Sequence, residues 1–395
     1  MVEYDPYSHE AMSDPERLYE GLRAEGGPHF IEERRCWALA RFEDVQKASL
    51  AERCLDFTHG QTPGQLLLGE PVPRTFMTMN GHDHRKWRGL VAGAYSAEAV
   101  QADAQHYRKL IRDVLAPLLP RGRFDTYRDF ANRVMCINAG NTLGLPPGDA
   151  ERLRALIDEM MHREPGQVGA VSERNRRAAG TLFGYLMEHV QVLRRVPERA
   201  EGLARVFLDA EIDGVSLTDE DIVSYLFSLL VTGSETTPMA VAGTFYYLAR
   251  HPEQKRAVLD DRALIARAFA ETLRFDQPTN MLARRARQGF ELGGRTIREG
   301  DNILMLYAAA NRDPARFERP HDYDIFREPR RDLSFGAGPH YCLGAHLALM
   351  IGPMMIEEAL AAIGDYQLIE EECRRGYGEF LNGFVEVPIR FGTVR

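Results

Sequence analysis

The chain has 395 residues, with 49 Lys and Arg against 58 Asp and Glu for a formal net charge of −9, and is 44% hydrophobic and 27% charged. That balance excludes disordered, collagenous and disulfide-scaffold classes and gives no reason to expect a nucleic-acid partner. Its five cysteines, Cys36, Cys54, Cys136, Cys342 and Cys373, are odd in number and scattered, as suits a reducing compartment, and no CxxC zinc pattern occurs.

The N-terminus is polar and acidic, without a basic n-region or an apolar h-region, so neither a signal peptide nor a membrane anchor is expected, and the expected location is cytoplasmic. Ser13 or Asp14 caps, and Pro15 opens, a first predicted helix. His29 to Ala40 reads as a hairpin around a charged turn. Phe57 to Met79, rich in Gly and Pro, predicts a long irregular loop of the kind that carries function. From about 82 to 275 the apolar periodicity is helical, interrupted at Glu164 to Ser172. Within it Tyr225 to Ala249 is long and apolar but holds Ser234, Glu235, Thr236, Thr237 and Pro238 at its centre, which predicts a buried working helix opened locally at the proline. Short strands are expected at Arg295 to Ile297, Ile303 to Met305 and Val385 to Phe391. The sum is one mostly α domain over 1–395, with small sheets near 29–40, 283–305 and 376–391.

The segment Phe335 to Met350 delivers Cys342 from a glycine-rich loop to the mouth of an apolar helix, where a thiolate is electrostatically favoured. Gly336, Gly338 and Gly344 permit a tight turn and the close approach of a flat ligand, and Phe335 shields the sulfur. Read alone, the loop leaves a plain buried cysteine open. A zinc set of His340, Cys342 and His346 lacks an obvious fourth ligand, and a dinucleotide loop fails because Tyr341 stands where glycine is needed.

Phe335, Gly338, Cys342 and Gly344 fit F-x-x-G-x-x-x-C-x-G, and the segment resembles the cysteine-ligand signature of the cytochrome P-450 family. The resemblance implies a b-type haem whose iron is ligated by Cys342. Thr232 to Thr237 is similar to that family's [AG]-G-x-[DE]-T, which implies Glu235 as a proton gate, Thr236 as hydrogen-bond donor to the oxygen being activated and Gly233 as space for O2. Thr232 departs from the usual Ala or Gly. Glu271 and Arg274 resemble the family's E-x-x-R, with Arg327 as third member of a structural triad. His84 and Arg88, Arg284 and His340 stand where propionate-binding cations are expected.

The resemblance implies an oxygenase that inserts one atom of O2 into a hydrophobic small molecule. Two electrons are required and no flavin or iron–sulfur segment is evident, so a ferredoxin and its NAD(P)H-dependent reductase are implied, docking near Arg85, Lys86, Arg330 and Arg331. A monomer is expected. Pocket walls are expected from Phe57 to Met79, Glu164 to Tyr185, Leu229, Thr232, Pro278, Thr279, Leu381 and Phe384. The alternatives are a peroxide-driven or non-oxygenating haem-thiolate enzyme and a haem-binding gas sensor or carrier. Glu235 beside Thr236 argues for the oxygen-activating cycle.

Overall fold

The computed structural model describes residues 2–164 and 171–392. Its axis is a helix from Asp219 to Arg250, and the sequence explains both ends. Thr218 Oγ1 accepts from the Asp221 amide at 3.1 Å while the Asp221 carboxylate accepts from the Thr218 amide at 3.3 Å, and the first turn is acidic. The chain leaves at His251, just before Pro252. Along this helix pack Asn132–Leu143, Glu173–Arg195, Ile265–Phe275 and Ala345–Ile363. The largest apolar core forms among these elements, with Phe130, Phe245, Phe269 and Ile351 fully buried. Ala345–Ile363 is long and apolar enough to cross a membrane, yet most of it is buried in this core.

The larger sheet has the order His29–Ile31, Cys36–Leu39, Asn302–Met305, Leu282–Ala286, Leu55–Asp56. Only the Cys36–Leu39 and Asn302–Met305 pair is parallel. Ile303 lies opposite Arg284 in the register, which fixes the height of that cation. A second sheet joins Tyr366–Leu368, Pro388–Phe391 and Arg123–Asp125.

Several local expectations are corrected. The first helix is His9–Ser13, capped by the Ser8 side chain, and Glu16–Ala24 comes after it. Phe57 to Met79 is not wholly irregular. Thr62 and Gln65 form a capping box around Pro63, so Pro63–Leu68 is helical until Gly69 stops it at φ 70°. The long helix runs unbroken through Pro238, and the opening reduces to one carbonyl, that of Ser234, left without its i+4 donor. On Glu16–Ala24, Arg23 is buried and donates to Glu16 at 2.6 Å and to the Ala309 carbonyl at 2.9 Å.

Candidate functional site

A cavity lies between the long helix and the loop that precedes Ala345–Ile363, and Cys342 opens onto it. The Cys342 amide donates to Phe335 O at 2.9 Å and the Tyr341 amide to Gly338 O at 3.0 Å, closing the loop on itself. Glycine is required at 338, where φ is +75° and a Cβ would stand 2.5 Å from the Ser49 carbonyl oxygen. Gly344 has an ordinary negative φ and precedes the helix. Arg88 donates to Tyr341 O at 2.8 Å, tying the loop to the helix Gly81–Ala92. Burial pushes the Cys342 thiol up, while the Gly344 amide and the Arg88 charge pull it back.

One edge of the cavity gathers His84, Arg88, Arg284 and His340. His340 stacks on Phe57 with ring centroids 3.7 Å apart and on His84 at 4.0 Å, and Arg284 lies over the Phe57 ring at 4.4 Å. Both ring nitrogens of His84, Nε2 of His340 and Nε of Arg284 are buried without a hydrogen-bond partner. Burial lowers His84 to about 4, His340 to about 2 and Arg284 to about 10, with neighbouring cations adding to the effect on both histidines. Buried basic groups left unsatisfied and repelling each other call for anions. The set fits a flat ligand that carries carboxylates at one edge and a thiol-seeking metal at its centre, as haem does.

On the opposite wall the long helix contributes Leu229, Thr232, Gly233, Glu235 and Thr236. Thr232 Oγ1 donates back to Ser228 O at 2.7 Å, whereas the Thr236 side chain makes no hydrogen bond among the described residues and is part-exposed to the cavity. A Cβ on Gly233 would meet only Ala139 Cβ, at 3.7 Å, so packing alone does not demand glycine there. Glu235 is buried and held by Tyr127 Oη, donating at 3.0 Å, and by Asn132 Nδ2 at 3.4 Å. Burial raises its carboxyl to about 7, with the Asp158 charge adding to the rise and the Tyr127 and Asn132 bonds opposing it.

Pro278, Thr279 and Leu381 also line the cavity, the last two joined by a β-bridge. Phe384 does not. Its ring packs on Tyr246 at 4.2 Å, behind the wall, because the strand Phe384–Glu386 turns it toward the core. Of the expected wall from Glu164 to Tyr185, residues 165–170 lie outside the described residues, and Tyr185 is drawn off by a 2.7 Å bond to Asp149. Gln61 and Phe76 line the cavity from the expected stretch Phe57 to Met79, whereas no motif announces Met161 and Asn138 as lining residues or marks Tyr127 and Asn132 as partners of Glu235.

Glu271, Arg274 and Arg327 meet away from the cavity. Arg274 grips Glu271 through Nε at 2.8 Å and Nη2 at 2.7 Å, and Arg327 Nε reaches the same carboxylate at 3.2 Å. Arg274 also donates to the carbonyls of Asn311 and Pro320, each at 3.0 Å. The basic surface patch is thinner than expected, because Lys86 is paired with Asp213 at 2.5 Å.

The family model described as Cytochrome P450 matches residues 168–361. A Mycobacterium tuberculosis protein bearing the name cytochrome P450 123 is 32% identical over 388 residues, 98% of this chain and 96% of its own length. The crystal structure of CalO2 superposes with a TM-score of 0.85 at 28% identity, covering 100% of both chains. P450BioI, crystallised with hexadec-9Z-enoic acid ligated acyl carrier protein, is similar at a TM-score of 0.84 and 26% identity over 96% of this chain and 99% of its own.

Proposed function

The chain belongs to the cytochrome P450 family of haem-dependent monooxygenases, and within that class we propose that it oxygenates a neutral, hydrophobic small molecule with electrons from a separate ferredoxin and its NAD(P)H-dependent reductase. One observation carries the substrate class. Among the described residues that line the cavity the charged ones are Arg88, Arg284 and Glu235. The first two belong to the cationic edge, and the third is committed to Tyr127 and Asn132. Phe57, Phe76, Met77, Leu229 and Leu381 leave an apolar remainder.

In this reading Cys342 would ligate the haem iron, and His84, Arg88, Arg284 and His340 would pair with the propionates, which would satisfy nitrogens otherwise stranded. Bound there, haem supplies the reductive activation of O2 and the transfer of one oxygen atom to the substrate, the other leaving as water. The chain's own part is to deliver protons and to exclude bulk water. Glu235, raised to about 7, holds a proton at neutral pH and can release it. Thr236 presents an uncommitted hydroxyl to the same space, able to donate where charge develops. Thr232 cannot readily replace it, since its proton is already given to Ser228 O. The free Thr236 hydroxyl favours the oxygen-activating cycle over a peroxide-driven one and over a passive haem binder. A monomer in the cytoplasm suits the scattered cysteines.

The test is a screen of apolar compounds for conversion of the ferric protein from low to high spin, with turnover of each hit then measured in the presence of NADH, ferredoxin and reductase. Product dependent on all three and on Cys342 supports the reading. Oxygen binding without product from any hit would point to a sensor or carrier.

A further inference from the structure

Glu235 and Thr236 are adjacent in the chain and both border the cavity, but they lie about 100° apart around the helix, and the Glu235 carboxyl is bonded to a neighbouring element. The partners of the Glu235 carboxyl come from Thr126–Ala131, a single widened turn with i→i+5 spacing, and from the first residue of the helix Asn132–Leu143 into which it runs. Such a turn brings residues five apart toward one side of the axis, and here those residues are Tyr127 and Asn132. Tyr127 Oη takes Oε2 of Glu235 at 3.0 Å and Asn132 Nδ2 takes Oε1 at 3.4 Å, with Asn132 Nδ2 also 3.3 Å from Tyr127 Oη. Asn132 Nδ2 lies 3.4 Å from Ser234 O as well, the carbonyl that Pro238 leaves unsatisfied. One fully buried amide therefore covers the defect in the long helix and holds the acid beside it.

The groups facing Glu235 from the packed elements are the Tyr127 phenol, the Cys136 thiol and the Arg154–Asp158 pair on the helix Ala150–Met161. The last two reach solvent, Asp158 at 41% and Arg154 at 25% side-chain exposure.

We propose that Tyr127 and Asn132 are positioning residues that clamp the Glu235 carboxyl toward the Arg154–Asp158 side of the long helix, so that the proton destined for the cavity is loaded from that side. This rests on the reading of Glu235 as proton donor. The electrostatics agree with it, since Asp158 makes protonation of Glu235 easier while Tyr127, Asn132 and Arg154 make it harder. Removing a clamp bond and removing the Asp158 charge must then act in opposite directions.

The experiment is an infrared pH titration of the haem-loaded protein, with the protonated Glu235 C=O band assigned by its loss in Glu235→Gln. In Tyr127→Phe the band should move to higher frequency and the midpoint should rise by about half a pH unit or more. Asn132→Leu should move the midpoint the same way. Asp158→Asn should lower it and leave the band in place. The alkaline limb of product formed per NAD(P)H consumed should track each shift. An unmoved band and midpoint in Tyr127→Phe, or Tyr127→Phe and Asp158→Asn moving together, would overturn the clamp. Full coupling in Glu235→Gln would instead remove the donor reading, and the loading role with it, even if the infrared shifts appear as expected.

Discussion

His84 and His340 stack ring on ring, centroids 4.0 Å apart, although both are bases and Arg88 and Arg284 stand beside them. Burial lowers both histidines, with the neighbouring cations adding to it, and holds them neutral.

For the haem-free protein this fixes a pH dependence through His84. Its folded value, about 4, lies below the ordinary 6.5, so the unfolded chain binds more protons between those limits. The stability from keeping His84 neutral is fully present above pH 6.5 and is lost as the pH falls toward 4, by up to about 3 kcal/mol. Urea midpoints of the apoprotein should drop over this window, and His84→Gln should reduce the drop by His84's share, the remainder coming from His340, which burial lowers further. A midpoint independent of pH from about 7 to 4.5 would contradict the buried cluster.

Thr236→Ala should leave substrate binding intact and lower product per NAD(P)H at least about tenfold, with hydrogen peroxide making up the difference. Thr232→Ala should change coupling little, because that hydroxyl is spent on Ser228 O. Equal losses in the two variants would show that Thr232 turns into the cavity during turnover.

The triad variants Glu271→Ala, Arg274→Ala and Arg327→Ala should yield protein with little haem. Glu271 and Arg274 are almost wholly buried, so deleting one member strands its partner's charge at a cost of about 3–5 kcal/mol. Haem content per chain measures it, and full loading in all three would refute the structural role.

Electron delivery should slow as salt rises if Arg85, Arg330 and Arg331 steer an acidic ferredoxin. With Lys86 occupied by Asp213, Arg330→Gln/Arg331→Gln should weaken the salt dependence more than Lys86→Gln does. Rates flat across ionic strength would remove the patch from consideration.

Elements built on local rules are legible in the chain. The apolar body of the long helix and the glycines of the Cys342 loop are read from local chemistry, although the expected stretch Tyr225 to Ala249 misses the first turns and the Thr218 cap. The Glu271–Arg274 contact needs only i,i+3 spacing on a helix. Tyr127 and Asn132 cannot be found this way. They precede Glu235 by about a hundred residues, and their shared face depends on a widened turn that no periodicity announces. Phe384 departs from expectation for the related reason that one step of strand alternation decides between cavity and core.

Between Tyr307–Ala310 and Ala345–Ile363 the described chain forms no helix or strand. Short backbone turns such as Cys342 N–H to Phe335 O close it locally, and side chains tie it to the rest of the fold: Arg274 on Asn311, Pro320 and Asp322, Asn311 Oδ1 on the Leu333 amide at 2.8 Å, and Gln277 Nε2 on Ser334 O at 3.0 Å. A stretch without a ladder of its own cannot fray residue by residue. It lets go when the few anchoring side chains do, and Cys342 goes with it. Loss of the prosthetic group and local unfolding of this stretch are then a single event, and hydrogen exchange at Leu333 and Cys342 should keep the same clock as haem release.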